Sequence, residues 1–179
     1  EGWSIFVSSL AVNLYTATNV VVLGMLTNNV IVGYYSAADK LITCVRRGIY
    51  AVSDAIYTFI SKMMRDDIPK GLQFIKKQLF LYLIVGLVGC TSLFFFSDTI
   101  VRLLFGADYD LTVDVLRILS FVPLAVAIST VFGEETMLPL NMNSAYSRTL
   151  VLGAFFSLIS IFPLCYLWGA KGVAITMLL

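Results

Sequence analysis

The sequence predicts an all-α protein, a polytopic transmembrane helix bundle of about five complete spans and the start of a sixth. Of its 179 residues, 59% are hydrophobic and only 13% are charged, about half of the charged fraction usual in a soluble domain. No charged residue lies between Glu1 and Asp39, and residues 78–97 and 149–170 are also uncharged. Because about 20 helical residues cross a bilayer core of about 30 Å, each stretch is long enough to span a membrane.

The positions of the charged residues delimit the predicted spans, which together form one domain over residues 1–179. One bundle is the simplest organisation because no Pro/Gly/Ser-rich linker divides the apolar stretches. The expected spans are residues 3–27, 37–63, 78–97, 115–132 and 149–168, followed by residues 172–179 as a truncated span.

Composition also argues against several classes of function. The formal net charge is +1 and histidine is absent from the sequence, so neither a strongly basic nucleic-acid binder nor a His-dependent zinc site or acid-base catalyst is favoured. Cys44, Cys90 and Cys165 are widely spaced in apolar stretches and fit small buried hydrophobes better than a disulfide framework or a metal cluster. We therefore expect no enzyme, no metal, no cofactor and no nucleic-acid partner.

The first span carries polar residues that a helix facing lipid on all sides does not need. At 100° per residue, Asn13 and Thr16 fall on one side of the helix and Asn19 on an adjacent side. Part of this helix is therefore expected to face other helices or water. Turn-forming residues after it predict a short connection over residues 28–36.

The second span is the least ordinary because it holds Arg46, Arg47 and Asp54 near its middle. Each would be unfavourable by roughly 2.5 to 3.5 kcal/mol at the bilayer centre, so pairing, hydration or a protein interior is required. Arg47 and Asp54 share a helix face about 10 Å apart along the axis, with Tyr50 between them and Tyr57 on a neighbouring stripe. The pattern predicts a broad polar face with cations, an acid and aromatic hydroxyls.

The remaining stretches say less about function. The third span is strongly apolar and is expected to be a scaffold helix. Residues 97–117 mix apolar and charged side chains and predict a short interfacial helix followed by a turn. Pro123 predicts a kink in the fourth span, and residues 136–147 are ambiguous between a loop and a re-entrant segment.

Basic residues set the expected orientation. They gather at and after the end of the second span, namely Lys62, Arg65, Lys70, Lys76 and Lys77. Under the positive-inside rule, the connection over residues 63–77 is cytoplasmic. The chain then starts on the cytoplasmic side, and the connection over residues 28–36 faces outward.

Three patches of the sequence resemble one family of membrane transporters. They are VGYYSAADKL (32–41), LFGADY (104–109) with VLRILS (115–120), and GAKGVA (169–174). In order and spacing, the chain resembles the C-terminal half of the polysaccharide flippases of the MATE-like MOP superfamily, the Wzx type that exports O-antigen units.

This resemblance implies one lobe of a twelve-helix transporter, with two six-helix lobes around a central cavity. It implies that polyprenyl-pyrophosphate-linked oligosaccharide moves by alternating access across the bacterial inner membrane, for O-antigen and lipopolysaccharide biosynthesis. The chain would hold the seventh to eleventh helices and the start of the twelfth. Its partners would be that glycolipid, the bilayer and a missing N-terminal lobe. A start at Glu1 and an end inside an apolar run at Leu179 also favour a fragment.

The charged candidates each have a functional and a structural interpretation. Arg46 and Arg47 fit guanidinium groups that bind pyrophosphate or acidic sugars in a wet cavity, or structural partners of an acid on another helix. Arg46 is the freer of the two, because Arg47 shares the face of Asp54. Asp54 fits either a coupling site for a proton or cation, or a counter-charge for Arg47.

The uncharged candidates also each have a functional and a structural interpretation. Asn13 and Asn19 fit hydrogen bonds to sugar hydroxyls or to neighbouring helices. Tyr50 and Tyr57 fit stacking on sugar rings or packing within the bundle.

Two other functions stay open at this stage. One is a drug or metabolite cation antiporter of the same superfamily. The other is part of a membrane glycan polymerase, which needs a catalytic constellation in large outer loops, and the longest outer connection is only about residues 98–114.

Overall fold

The computed structural model describes Leu10, residues 16–106 and residues 108–178, and every regular element among them is helical. The predicted all-α class is confirmed. The elements are α1 (Thr16–Leu26), α2 (Asn29–Asp66), α3 (Ile68–Phe105), α4 (Asp110–Leu119), α5 (Val122–Phe132), a π-helical segment (Gly133–Met137), α6 (Asn143–Trp168) and α7 (Ala170–Thr176).

Helix α2 begins earlier than the sequence predicts. The Asn28 side chain accepts a hydrogen bond from the backbone N–H of Ile31 at 2.9 Å, which satisfies one of the free donors at a helix start. Residues 29–36, expected in a connection, are therefore helical, and only residues 27–28 separate α1 from α2. Gly33 does not end the helix, because a single glycine inside a helix costs only about 1 kcal/mol.

A single residue, Asp67, separates α2 from α3. Its carboxyl accepts a hydrogen bond from the backbone N–H of Lys70 at 3.2 Å and lies 3.0 Å from the Lys70 Nζ. The hydrogen bond from the Lys70 side chain lowers the pKa of Asp67 below its ordinary value of 3.8. Each helix has 38 residues, about 57 Å at 1.5 Å per residue, so the hairpin is longer than a bilayer core is thick.

The segment predicted as an interfacial helix and turn divides differently. Helix α3 continues without a break to Phe105 and ends at Gly106, whose φ of +100° suits glycine. Helix α4 then starts at Asp110. The fourth predicted span is interrupted at residues 120–121, and Pro123 lies in the first turn of α5, so the interruption falls beside the proline as expected.

The helices bury two apolar clusters around different parts of α2. The larger cluster joins Tyr35 and Ile42 of α2 to α1, α3, α4, α6 and α7. The smaller one joins Ile60 and Met64 of α2 to α3 and α5. The middle of α2, between these clusters, is where the polar residues lie.

The three patches that resemble the transporter family hold the larger cluster together. The rings of Tyr34 and Tyr109 are in edge contact with centroids 5.1 Å apart, and the Thr112 hydroxyl donates to the Tyr34 carbonyl at 3.0 Å. An added Cβ at Gly172 would lie 1.9 Å from the Leu164 carbonyl oxygen. Glycine is therefore needed where α7 approaches the backbone of α6.

Three helical stretches among the described residues are long and apolar enough to cross a membrane, namely Ile68–Phe105, Asp110–Met137 and Asn143–Trp168. They contain the predicted spans 78–97, 115–132 and 149–168. Large apolar side chains on α3 and α6 are more than half exposed, among them Phe80, Phe95 and Phe156, as expected of surfaces against lipid. The full set of five spans stays a prediction, and residues 1–9 and 11–15 of the first lie outside the described residues.

Candidate functional site

Five of the seven candidate residues lie in the middle of α2. Arg47, Tyr50 and Asp54 are exposed, and Arg46 and Tyr57 are half-buried. Positions 47, 50, 54 and 57 recur at intervals of three or four residues, so their side chains form one stripe along the helix. The structure therefore brings these residues together on one side of α2, and we call this stripe with Arg46 the polar face.

The exposed charges of the polar face have no ionic partner in the described chain. Neither Arg47 nor Asp54 takes part in an ion pair within 4.0 Å among these residues. Seven residues separate them, about 10 Å along the axis. The sequence predicts that α2 crosses the membrane, where charged groups against lipid are unfavourable, so on that prediction this face requires water or further protein to cover it.

Arg46 turns away from the exposed stripe. It is half-buried, and its Nε is buried without a hydrogen-bond partner in the described residues. Asp39, two turns earlier on the same side of α2, lies close enough to attract it. Arg47 is exposed, and no ion pair holds it against Asp54 among the described residues. Which of the two arginines is functional stays a prediction.

Of the two asparagines of the first span, the structure describes only Asn19. Asn13 lies outside the described residues. Asn19 is only 2% exposed on α1, and its Nδ2 has no hydrogen-bond partner among the residues described. It lies on the same helix as Val22 and Leu23 of the larger apolar cluster.

A buried carboxyl that the sequence did not single out contacts α2 beside the polar face. Glu135, in the π-helical segment, is fully buried, and its Oε1 accepts a hydrogen bond from the Ser53 hydroxyl at 2.7 Å. The Glu135 Oε2 is buried without a partner in the described chain. Ser53 precedes Asp54 of the polar face, so this hydrogen bond fixes the rotation of α2 at the site.

Glu134 extends this group of acids. Its Oε1 accepts a long hydrogen bond from the Tyr146 hydroxyl at 3.4 Å, and Asp54 lies near enough to repel its carboxylate. An added Cβ at Gly133 would lie 2.7 Å from the Tyr146 ring, so glycine lets α6 pack closely here. The side of α2 near Asp54 is therefore acidic, whereas the side near Arg47 is basic.

Sequence reasoning missed these glutamates because they directly follow the predicted span 115–132 and no local pattern sets them apart. The contact that buries Glu135 joins residues 82 positions apart, which no local pattern encodes. One signal was available: the acids are followed by uncharged residues up to Arg148, so no nearby cation in the sequence accounts for them.

An apolar cavity lies between α2, α3 and α5, on the side of α2 opposite the polar face. Its volume is about 380 Å³. Val45, Ile49 and Val52 line it from α2, and Gly86 and Gly89 line it from α3. Helix α2 thus presents charged groups on one side and an apolar recess on another.

These features define a class: an all-α, multi-pass protein of the bacterial inner membrane with a polar helix face inside an apolar bundle. Residues 1–64 match a family model described as polysaccharide biosynthesis protein. The resemblance to polysaccharide transporters is confirmed by two curated relatives, both called putative O-antigen transporter.

The relatives match almost the whole chain. The one from Escherichia coli (strain K12) is 32% identical over 99% of this chain, and the one from Shigella dysenteriae is 28% identical over 99%. The chain spans 43% and 44% of their respective lengths. No solved structure gives a significant match.

Proposed function

We propose that this chain forms part of a flippase that translocates polyprenyl-pyrophosphate-linked oligosaccharide across the bacterial inner membrane. The observation that carries the proposal is the polar face of α2, with an exposed guanidinium at Arg47 on a helix of a membrane protein. The names of the relatives, both putative O-antigen transporters, support the same function.

The chemistry of α2 matches an amphiphilic anion. A guanidinium binds phosphate oxygens through paired, charge-assisted hydrogen bonds, and Arg47 is exposed to offer them. Tyr50 and Tyr57, on the same stripe, present rings and hydroxyls of the kind that contact sugars. The apolar recess on the opposite side of α2 suits an isoprenoid chain. Helix α2 thus carries a guanidinium for the pyrophosphate, tyrosine rings for the sugars and an apolar recess for the lipid chain.

Protein outside this chain would cover the polar face. The relatives are more than twice as long as the chain, and the described residues leave Arg47 and Asp54 exposed. A second lobe facing α2 would enclose a water-filled passage between the two surfaces.

The test uses the full protein in cells whose polysaccharide export depends on it. Arg47→Ala should reduce export by roughly ten- to a hundredfold, the equivalent of about 1.5 to 3 kcal/mol for hydrogen bonds to a charged group. Arg102→Ala is the matched control, because Arg102 pairs with Asp98 and Asp110 at the surface. Unchanged export by Arg47→Ala and Arg46→Ala, at normal abundance in the membrane, would contradict the proposal.

A further inference from the structure

We propose that Glu135 is a proton-binding site that links protonation of one carboxyl to the packing of α2 against the π-helical segment. This inference deepens the proposed function, on which it rests, by naming the ion that would drive transport. The carboxyl is fully buried and lies in a π-helical segment, a distortion that is frequent at functional sites.

The hydrogen bonding around Glu135 is incomplete in a way that suits proton exchange. Gln78 of α3 is only 7% exposed and approaches the carboxyl, yet its amide nitrogen and amide oxygen form no hydrogen bond of ordinary geometry with the described residues. The Glu135 Oε2 likewise has no hydrogen-bond partner in this part of the chain. An amide serves both protonation states, because its oxygen accepts from a carboxylic acid and its N–H donates to a carboxylate.

No cation compensates this carboxyl within the described chain. Within about two helical turns of its contacts, the titratable groups on the elements packed around it are Arg46, Arg47, Tyr50, Asp54 and Tyr57 of α2, Lys76, Lys77 and Tyr82 of α3, Glu134 of the π-helical segment, and Tyr146 and Arg148 of α6. Arg47, Lys76, Lys77 and Arg148 are exposed, and Arg46 is half-buried two turns before Ser53 on nearly the same side of α2. None of these cations pairs with a glutamate among the described residues. Helix α5 holds no titratable residue. The remaining neighbours are neutral or acidic.

A proton fits this site better than a metal ion. Calcium and magnesium take about six or more oxygen ligands, and the described residues contain no group of three or more acidic, cysteine or histidine side chains that would hold a metal. A proton requires one lone pair, which the Glu135 Oε2 has.

Proton release would separate the two elements that Glu135 joins. The O–H bond of the carboxylic acid breaks, its electron pair stays on the oxygen, and the proton passes to water. A buried carboxylate without a cation is strongly unfavourable, so water must enter between Ser53 and Glu135. Helix α2 then moves away from the π-helical segment and carries the polar face with it. Asp54, which is exposed, is not required for this step.

The first test measures protonation directly in the full purified protein, without transport. Infrared difference spectra recorded across a pH titration should contain a carboxylic acid C=O band that disappears in Glu135→Gln. Ser53→Ala should change the midpoint of that band, because the hydroxyl that donates to Glu135 is lost. Asp110→Asn changes an exposed carboxyl that pairs with Arg102 and should leave the band and its midpoint unchanged. A band that persists in Glu135→Gln would overturn the proposal.

A second measurement follows the packing. Amide hydrogen exchange of residues 133–138, corrected for the intrinsic effect of pH, should rise with pH in the parent and stay low in Glu135→Gln. Equal exchange in both proteins at every pH would refute the link to packing. If sodium at constant pH removes the band as alkali does, the proton assignment is wrong. Because neither measurement involves glycolipid, failure of the flippase proposal would be distinguishable from failure here.

Discussion

Acidic residues have opposite surroundings in two regions of this bundle. In the region where α4 meets α3 and α7, Asp98 and Asp110 share Arg102, at 2.8 and 3.2 Å, and Asp114 lies 2.8 Å from the Nζ of Lys171. All of these side chains are substantially exposed. Around the π-helical segment, Glu135 is fully buried and has a neutral serine as its hydrogen-bond donor.

The difference separates charges that need no functional explanation from a charge that does. Exposed ion pairs contribute little to stability. The stability of the paired region therefore depends on packing and on the close backbone contact at Gly172. A buried acid without a cation is unfavourable unless it is protonated. Its presence in the bundle therefore calls for a functional explanation, whereas the paired aspartates do not.

The largest effect should come from the backbone contact in the paired region. Gly172→Ala places a Cβ against the Leu164 carbonyl, and such overpacking destabilises by about 1 to 3 kcal/mol or more. Thermal unfolding in detergent measures the loss. Gly153→Ala in α6 is the matched control, since nothing lies within 4 Å of its added Cβ, and it should be neutral or slightly stabilising. Equal stability of both variants would show that α7 does not need this contact.

A somewhat smaller effect is expected at the buried acid. Glu135→Ala leaves the Ser53 hydroxyl without its acceptor and should destabilise by about 1 to 3 kcal/mol. Glu135→Gln keeps an oxygen that Ser53 can donate to and should retain most of the stability. Both are measured by thermal unfolding at neutral pH. If Gln is as destabilising as Ala, the negative charge rather than the hydrogen bond is what the fold uses.

Breaking an exposed pair should matter less. Lys171→Ala removes the partner of Asp114, and both side chains are nearly half exposed, so the loss should be at most about 1 kcal/mol. Repeating the unfolding measurement at high salt should reduce the difference further, because salt screens exposed charges. A loss as large as that of Gly172→Ala would mean that charge pairing does hold this region together.

The smallest effect should be the pH dependence at the turn between α2 and α3. The folded-state pKa of Asp67 is lowered by its hydrogen bond with Lys70, so its contribution is fully present above the ordinary aspartate pKa of 3.8 and is lost as the pH falls through the folded value. Asp67→Asn should flatten this part of the stability profile. Identical acid profiles for parent and variant would contradict the assignment.

The sequence was sufficient for the helical class and insufficient for the helix ends and for Glu135. Hydropathy locates apolar stretches such as residues 78–97, and helical periodicity predicts that Arg47 and Asp54 share one face of a helix. Capping by Asn28 moved the start of α2 by eight residues relative to the predicted span, because a local hydrogen bond outweighed composition. The burial of Glu135 depends on a contact with Ser53 across 82 positions, and only the packed bundle supplies it.

The π-helical segment also sets how the chain tolerates changes in its length. Its signature bond runs from the Leu138 N–H to the Gly133 carbonyl, five residues back, at 3.3 Å, one residue more than an α-helix uses. Because a π-helical turn takes up one residue more than an α-helical turn, loss of one codon here would let regular helical bonding continue from α5 without rotating the side chains of α5. The chain could therefore change its length by one residue at this segment while α5 keeps its register against α2 and α3.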